Sequence, residues 1–390
     1  MLQFRCLLMM GVFIFCSAFG AMSASAQQVK TVFVIAMENH NWTQPPPQFS
    51  GTQQIYQNPN APFINSLVNG TAFAPVNDSV INISEQVAYA TAYHNVLATP
   101  SGNNPHIHPS EPNYLWAEAG TNFGIFNDAD PYPDNNHDTT AHFTSFLTQA
   151  GKTWRSYQED IDLTTSASGL TNVPLPEDLW TVPLTSFSGN FASGINAYNG
   201  SSQFNYAAKH NPMVFFTDTN GGNNPTPTNP LSTHYAPLQQ LLTDLANDTV
   251  ADYNWITPDQ YNDMHSGLAG GFEGLTGDAA NIMQGDNFLR QIVPIIMASN
   301  AYKNHGVIIL WWDESEGGDD FDHTIGEIVI SSRAHPNVNG LPYASPVNYT
   351  HSSDLRTLQN IFHVGPYLGD AANATDLSDL FKPGAVPKKP

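Results

Sequence analysis

Cysteine is nearly absent from this sequence, and the two that occur lie in the apolar stretch that opens it. Cys6 and Cys16 both fall within MLQFRCLLMMGVFIFCSAFGAMSASAQQ, which has one arginine, then an apolar run, then a close of small residues. That order is typical of a secretory signal peptide, here over residues 1–26. A membrane anchor is the alternative, but the apolar run is short and no basic stop follows it. We therefore predict a secreted or periplasmic protein with no stable membrane anchor.

The remaining chain, residues 27–390, contains no cysteine, which excludes disulfides and thiol chemistry from the predicted mature protein. Its stability has to come from the burial of apolar surface. About 360 residues are ample for that purpose in a single large domain.

Basic residues are also scarce. Once the single arginine of the leader is removed, 11 lysines and arginines face 34 acids, a net charge of 11 − 34 = −23. A surface of that sign repels nucleic acid and anionic membranes, so neither is an expected partner. Charged residues make up only 12% of the chain, against about a quarter in most proteins. Much of the surface is therefore expected to be uncharged and polar, and nothing in the sequence predicts the oligomeric state.

Neither an internal repeat nor a clear linker interrupts the chain, and apolar runs alternate with helical patterns. Short runs rich in β-branched or aromatic residues predict buried strands: VKTVFVIAM (29–37), KTWRSYQ (152–158), NPMVFFTD (211–218), DYNWITP (252–258) and GVIILWWD (306–313). Helical patterns lie between them, the longest at 285–304. This alternation predicts one α/β domain with a largely parallel sheet flanked by helices.

Two of the predicted strands end in clusters of oxygen-bearing side chains. The first strand runs into Glu38 and Asn39, and the strand at 306–312 runs into Asp313 and Glu314. Ligands of open α/β sheets bind at the carboxyl ends of the strands. If these strands are neighbours, three carboxylates and an amide converge, and a divalent cation would relieve their repulsion. The alternative is that the acids merely begin solvated loops.

A serine stands in front of a helix that begins with proline. Ser110 precedes EPNYLWAEAG, and its hydroxyl would lie where the backbone N–H groups of the helix point. An ordinary N-cap is the alternative. Beside a metal site, the hydroxyl would instead be an activated nucleophile for a phosphoryl group.

Four segments, FVIAMENHNW, HPSEPNYLW, ITPDQYNDMH and WWDESEGGDDFDH, resemble successive blocks of the bacterial and fungal phosphoesterase family. That family includes acid phosphatases and phosphatidylcholine-type phospholipases C, and it belongs to the alkaline phosphatase superfamily. The blocks occur in the family's order and span nearly all of residues 27–390. The resemblance implies a doubly wound, alkaline phosphatase-like α/β fold, a divalent metal site and a phosphorylated hydroxyl intermediate.

On the matching positions, the resemblance implies that Ser110 is the nucleophile and that Asn113 lies near the phosphoryl oxygens. It also implies four metal ligands: Glu38, Asn39, Asp313 and Glu314. Dinuclear zinc members of the superfamily surround their ions with aspartate and histidine. The oxygen-rich set of this chain suits Ca²⁺, Mg²⁺ or Mn²⁺ better, although Zn²⁺ stays open.

Histidines near the blocks are candidates for acid–base or phosphate contacts. His265, in NDMH together with Asp263, follows a predicted strand and resembles a family block, so an active-site role is favoured. His323, in FDH, is placed to bind phosphate or to protonate the leaving group, with a loop-stabilising role as the alternative.

His106 and His108 flank the Ser110 block, and we expect one of them to face the substrate. His351, at the start of the last helix, is either a cap or a phosphate contact. The remaining histidines considered are predicted to be structural or exposed: His40, His137, His142, His210 and His335.

Together these patterns predict a secreted, metal-dependent phosphoric ester hydrolase whose substrate is a small-molecule or lipid phosphate ester. A phosphomonoesterase of the acid phosphatase type is preferred, since no further domain is evident after residue 370. A phospholipase C or other phosphodiesterase is the alternative. A non-catalytic calcium- or carbohydrate-binding exported protein is a second alternative that the composition would permit.

Overall fold

The computed structural model describes residues 28–76, 79–95, 108–317 and 321–388. The predicted signal peptide, residues 1–26, and the candidate His106 lie outside these ranges. Within them, no helix is both long and apolar enough to cross a membrane.

Seven α-helices occur in the described part of the chain: α1 (Pro62–Asn69), α2 (Glu111–Ala119), α3 (Phe143–Gln149), α4 (Gln240–Asn247), α5 (Asp278–Ala298), α6 (Asn300–Lys303) and α7 (His351–Phe362). Sixteen strands accompany them over the same ranges: β1 (Thr31–Met37), β2 (Asn41–Thr43), β3 (Phe73–Val76), β4 (Ser79–Asn82), β5 (Val87–Tyr93), β6 (Trp154–Gln158), β7 (Leu163–Thr165), β8 (Asn172–Pro174), β9 (Phe187–Asn190), β10 (Gln203–Tyr206), β11 (Tyr235–Pro237), β12 (Tyr253–Thr257), β13 (Gly306–Trp312), β14 (Thr324–Ile325), β15 (Glu327–Ile330) and β16 (Tyr343–Tyr349).

Eight of the strands form the central sheet, in the order β11-β6-β12-β1-β13-β15-β5-β16. All neighbours are parallel except at β15, which is antiparallel to both β13 and β5. Seven strands therefore run one way and one runs against them. Helices flank the sheet, with α2 packed on α7 and α1 packed on α5. This single domain confirms the predicted helix-flanked, largely parallel α/β fold.

The predicted site requires that the strands carrying its ligands are neighbours in the middle of the sheet. Strands β1 and β13 are direct neighbours, with Thr31 level with Gly306 and Met37 level with Trp312. Strand β13 is buried along its whole length, and β1 is buried after its first residue, as expected for strands covered on both faces. Because the strands are parallel and in register, the residues that follow them emerge side by side at the same edge.

One predicted strand is wrong. Residues 211–218 do not join the sheet. Instead Pro212–Phe215 form a buried 3₁₀ helix with Asn211 as its N-cap residue. A short apolar run does not by itself distinguish a strand from a buried helical turn. Proline at the first helical position, with its fixed φ, favours the turn.

Two acids face each other in the core behind the sheet edge. Glu327 of β15 is 1% exposed and Asp354 of α7 is 6% exposed. The hydroxyl of Tyr93 hydrogen-bonds to Asp354 Oδ2, whereas both oxygens of Glu327 and Asp354 Oδ1 have no hydrogen-bond partner among the described residues. Burial raises the pKa of Glu327 well above its usual range, and the neighbouring Asp354 adds to the shift. Burial likewise raises the pKa of Asp354 to about 7.

This pair should make stability depend on pH. Acids whose pKa is raised in the folded state stabilise the folded protein fully at a pH below their unfolded pKa of about 4. That stabilisation is lost as pH rises through the folded-state pKa, which is about 7 for Asp354. We expect Glu327→Gln to match the wild type at pH 4 and to be more stable by about 1–3 kcal/mol at pH 7, because its amide donates to Asp354 without a buried charge. Chemical denaturation across this range measures the difference. The exposed Glu85→Gln is the control, and parallel wild-type and Glu327→Gln curves would contradict the assignment.

Candidate active site

Ser110 lies at the amino end of α2 but does not cap it. Its backbone is helical, with φ −58° and ψ −45°, and its side chain makes no capping hydrogen bond. The hydroxyl is turned toward the sheet edge instead, in a residue that is 1% exposed. An ordinary N-cap serine directs its oxygen at the free N–H groups of the first turn. The Ser110 side chain is therefore not arranged as an ordinary N-cap.

Oxygen atoms from the ends of both central strands surround this hydroxyl. Ser110 Oγ lies 3.0 Å from Glu38 Oε2, 3.2 Å from Glu314 Oε1 and 3.5 Å from Asn39 Oδ1. Asp313 joins the group from behind, because its Oδ1 accepts a hydrogen bond from the Asn39 backbone N–H at 3.1 Å. Asn39 has φ 34°, a left-handed turn that asparagine tolerates and that bends the chain sharply after β1.

Three buried carboxylates so close together repel one another. Burial raises the pKa of Glu38 to about 7, an effect that Lys209 opposes and Glu314 reinforces. Burial also raises the pKa of Asp313 well above its usual range, and Glu38 and Glu314 add to that shift. For Glu314 the pKa is raised by burial, while its hydrogen bond to His108 works in the other direction.

The donor set fits a divalent cation on chemical grounds. Asp313 Oδ2 is buried and has no hydrogen-bond partner among the described residues. Carboxylate and amide oxygens from Glu38, Asn39, Asp313 and Glu314 are the ligands that hard cations prefer. Positive charge at this place would offset the burial and repulsion that raise the carboxyl pKa values.

One lysine, which the sequence did not point to, reaches the same hydroxyl. Lys209 Nζ lies 3.5 Å from Ser110 Oγ and donates to Asp128 Oδ2 at 2.8 Å. Burial alone would lower the pKa of Lys209, but the carboxylates of Glu38 and Asp128 outweigh it and the pKa is raised. The ammonium is therefore charged at neutral pH.

Two aromatic rings lie against Glu38, and one of them donates a hydrogen bond to it. The hydroxyl of Tyr114, one turn after Ser110 in α2, donates to Glu38 Oε1 at 2.6 Å. Its ring stacks on His210 with centroids 5.0 Å apart, and His210 Nε2 lies 3.1 Å from the same carboxylate oxygen. Burial lowers the pKa of His210 well below its usual range, and Lys209 lowers it further. Both contacts were missed from the sequence, which predicted a structural or exposed role for His210.

Asp263 and His265 lie on the other side of Glu38. The Asp263 backbone carbonyl accepts from the Glu38 N–H at 2.9 Å, and Asp263 Oδ2 lies 3.4 Å from His210 Nδ1. Burial lowers the pKa of His265 to about 4, with a further contribution from Lys209. The structure thus brings both predicted residues beside the cluster, although Asp263 is fully buried.

The other predicted contacts differ in position. His108 Nδ1 lies 2.9 Å from Glu314 Oε2, and Asn113 Nδ2 donates to the same oxygen at 3.1 Å. His351 is fully buried; its Nε2 donates to the Asp313 backbone carbonyl at 2.6 Å, so the ring lies behind the site. The backbone carbonyl of His323 lies 3.1 Å from His94 Nδ1, within hydrogen-bond distance. The substrate contacts predicted for His351 and His323 remain predictions.

Two further groups of three residues have donor atoms spaced closely enough to hold a metal ion. The first is His40, Asp278 and Glu316, and the second is Glu159, Asp160 and Asp259; in each, one donor atom per residue lies within 4.8 Å of the other two. In the second group the oxygens of Glu159 are already occupied. They accept hydrogen bonds of 2.7–3.1 Å from the side chains of Asn196 and Asn262 and from the backbone N–H of Asp259. That group is accounted for as a hydrogen-bonded anion beside two further acids.

Comparison with known proteins gives one family and several distant relatives. The model of the phosphoesterase family matches residues 103–365. The chain is 26% identical over 328 residues to a phosphatidylinositol-3-phosphatase of Mycobacterium tuberculosis, covering 84% of this chain and 78% of that protein. It is 22% identical over 282 residues to a probable acid phosphatase of Kluyveromyces lactis, covering 70% of this chain and 55% of the relative. Among solved structures, the lipoteichoic acid synthase of Listeria monocytogenes aligns with a TM-score of 0.44 and 8% identity over 90% of this chain and 77% of that one.

Proposed function

The chain belongs to the phosphoesterase family and is a hydrolase of phosphate esters; from that premise we propose that it is an exported, metal-dependent phosphomonoesterase that acts through a phosphoserine on Ser110. One observation carries the proposal. The Ser110 hydroxyl, although it stands at a helix start, is directed into Glu38, Asn39 and Glu314 rather than onto the helix. A capping hydroxyl would be engaged by the backbone of its own helix, whereas this hydroxyl lies among the predicted metal ligands, where a bound cation could activate it.

A divalent cation would be held by the four predicted ligands, Glu38, Asn39, Asp313 and Glu314. When bound, it would stabilise negative charge on the phosphoryl oxygens and lower the pKa of a neighbouring hydroxyl. Ca²⁺, Mg²⁺, Mn²⁺ and Zn²⁺ remain candidates, with the oxygen-only set favouring the first three.

Ser110 Oγ would attack phosphorus in line with the ester oxygen. A new bond forms between Oγ and phosphorus, the bond from phosphorus to the alcohol breaks, and the serine proton passes to an adjacent carboxylate, Glu38 or Glu314. Water then attacks phosphorus and passes a proton to the group that protonated the alcohol. The bond from phosphorus to Oγ breaks, the carboxylate returns its proton to Oγ, and inorganic phosphate is released. Lys209, charged and 3.5 Å from Oγ, would neutralise part of the charge that develops on the phosphoryl group.

The histidines would act at the periphery of this reaction. His108, held by Glu314, is 36% exposed and so is positioned between the cluster and solvent. We propose that His265 and Asp263 orient the opposite side of the site, and that His323 donates a proton to the leaving alcohol. His351 would fix the Asp313 backbone through the 2.6 Å hydrogen bond.

A comparison of two chromogenic esters tests the reaction class. The relatives above bear the names of phosphomonoesterases, so we expect rapid release of p-nitrophenol from p-nitrophenyl phosphate and little from p-nitrophenyl phosphorylcholine. Turnover of the choline ester alone would favour the phospholipase C alternative. Turnover of neither ester, in protein that has bound a metal, would overturn the proposal and favour a binding role.

Lys209 provides a second, independent test. Replacement by glutamine, which keeps most of the length but not the charge, should lower kcat/KM by roughly 10–100-fold and weaken inhibition by inorganic phosphate, because a charge-assisted contact is lost. Steady-state kinetics with phosphate as a competitive inhibitor measures both effects. Lys30→Gln, at an exposed lysine that bonds Asn304, is the matched control. Unchanged phosphate inhibition in the Lys209 variant would exclude this residue from substrate binding.

A further inference from the structure

Beside the Ser110 cluster, three side chains converge from separate parts of the fold. His40 follows β1, Asp278 is the first residue of α5, and Glu316 follows β13. His40 Nε2 lies 3.1 Å from Asp278 Oδ1 and 3.9 Å from Glu316 Oε2. One donor atom from each of the three falls within 4.8 Å of the other two.

The imidazole is oriented in the manner of a metal ligand. His40 is 2% exposed, and its Nδ1 lies 3.2 Å from the backbone carbonyl of Glu38, which can only accept a hydrogen bond. Nδ1 therefore carries the proton, and Nε2 is the nitrogen that faces the two carboxylates. Histidines that bind metals commonly donate their far N–H to a carbonyl in this way, which fixes the ring for the ion.

The Asp278 carboxylate and the Glu316 backbone are also held by hydrogen bonds. Asp278 Oδ2 accepts the backbone N–H of Gln53 at 2.8 Å, which leaves Oδ1 directed at His40. The side chain of Asn41 binds the backbone of Glu316 twice, at its N–H (2.9 Å) and at its carbonyl (2.7 Å). Glu316 Oε2 is shielded from solvent and has no hydrogen-bond partner among the described residues.

We propose that His40, Asp278 and Glu316 form a second divalent-cation site, separate from the one around Ser110. Two carboxylates and one imidazole are a donor set for Zn²⁺ or Mn²⁺, whereas the ligands predicted at the Ser110 cluster supply oxygen only. The ion would join the loops that follow β1 and β13, and these two loops carry the predicted catalytic ligands. A salt bridge between a protonated His40 and the two acids is the competing explanation of the same geometry.

Nitrogen ligation separates the two explanations without any measurement of activity. The experiment uses full-length protein that carries Asp313→Asn, so that the cluster around Ser110 is altered, together with Mn²⁺ and pulsed electron paramagnetic resonance. We expect one bound ion per chain with a nitrogen coupling from imidazole. Adding His40→Gln should remove the coupling and weaken Mn²⁺ binding by about tenfold or more.

Two further variants keep the test informative. His335→Gln, at a half-buried histidine that stacks on Tyr343, should leave the nitrogen coupling unchanged. Glu316→Gln, at a side chain that is 38% exposed, should weaken Mn²⁺ binding even if the His40 variant folds poorly. Absence of bound Mn²⁺, or a nitrogen coupling that persists in His40→Gln, would leave a salt bridge only and overturn the site. Because esterase activity is not measured, this result is independent of the proposed reaction.

Discussion

Ser110→Ala is expected to lose roughly 10³-fold or more of the turnover of p-nitrophenyl phosphate, because the covalent route disappears with the hydroxyl. Its free energy of unfolding should fall by about 1–3 kcal/mol, because Glu38 and Glu314 lose a buried hydrogen-bond donor. The metal ligands remain, so inorganic phosphate should still protect the variant against thermal unfolding. Turnover and calorimetry on the same preparation measure the two effects.

Ser299 supplies the matched control, since it is a serine that does cap a helix. Its side chain accepts the N–H of Tyr302 at 3.1 Å at the start of α6. Ser299→Ala should lose about 0.5–2 kcal/mol of stability and keep full turnover, so that turnover separates it from Ser110→Ala. Acid-quenching the wild type after brief exposure to labelled substrate should place phosphate on the peptide containing Ser110. Label on another residue, or substantial turnover by Ser110→Ala, would exclude it as the nucleophile.

The metal-ligand hypothesis rested on two sequence patterns that are far apart along the chain, so neither pattern shows that the two are adjacent in the fold. A buried run that ends in acids is visible at Glu38 and again at Asp313, yet these residues are separated by 275 positions. Their adjacency depends on β1 and β13 being neighbours in the sheet. What made it predictable was the rule that parallel strands present their carboxyl ends at one edge. A lone acidic strand end would not have supported the same conclusion.

The direction of the Ser110 side chain could not be predicted from its sequence neighbours, for a different reason. A capping serine and a nucleophile at a helix start have the same neighbours along the chain, and they differ only in where the hydroxyl points. Tyr114, in contrast, was accessible. It lies four positions after Ser110 in a predicted helix, which places it on the same face. That spacing was sufficient to expect it beside the site.

No sequence pattern indicated that Lys209 and His210 lie beside the site. They lie in a short 3₁₀ turn, Ala208–His210, just before the segment wrongly predicted to be a strand. Such turns have no periodicity to reveal which side chains face inward. Only packing against Tyr114 brings His210 to Glu38, a contact between parts of the chain that are distant in sequence. The contact of His40 with Asp278 likewise had no local signal, because Asp278 begins a helix more than two hundred residues later.

Asp313→Asn should distinguish a metal site from a cluster of hydrogen-bonded acids through opposite effects on stability. With the metal bound, the variant should be less stable than the wild type, because a ligand charge is lost and an ion that binds only the folded form contributes about 2.7–4 kcal/mol at 100–1,000 times its Kd. With a chelator, the order should invert. The asparagine oxygen still accepts the Asn39 N–H, while the free-energy cost of keeping a buried acid protonated beside Glu38 is gone, for a gain of about 1–3 kcal/mol.

Activity should fall by roughly 10³-fold in the same variant, since stabilisation of the phosphoryl charge is lost. Metal content, calorimetry with and without chelator, and turnover measure the three expectations together. Asp252→Asn is the control: this acid accepts hydrogen bonds from Thr153, and its variant should keep the metal content and chelator response of the wild type. If Asp313→Asn retains the full metal content, or if it is less stable than the wild type in the presence of chelator, Asp313 is not a ligand. The buried acids would then have to be held by shared protons, and Ser110 would need a different source of activation.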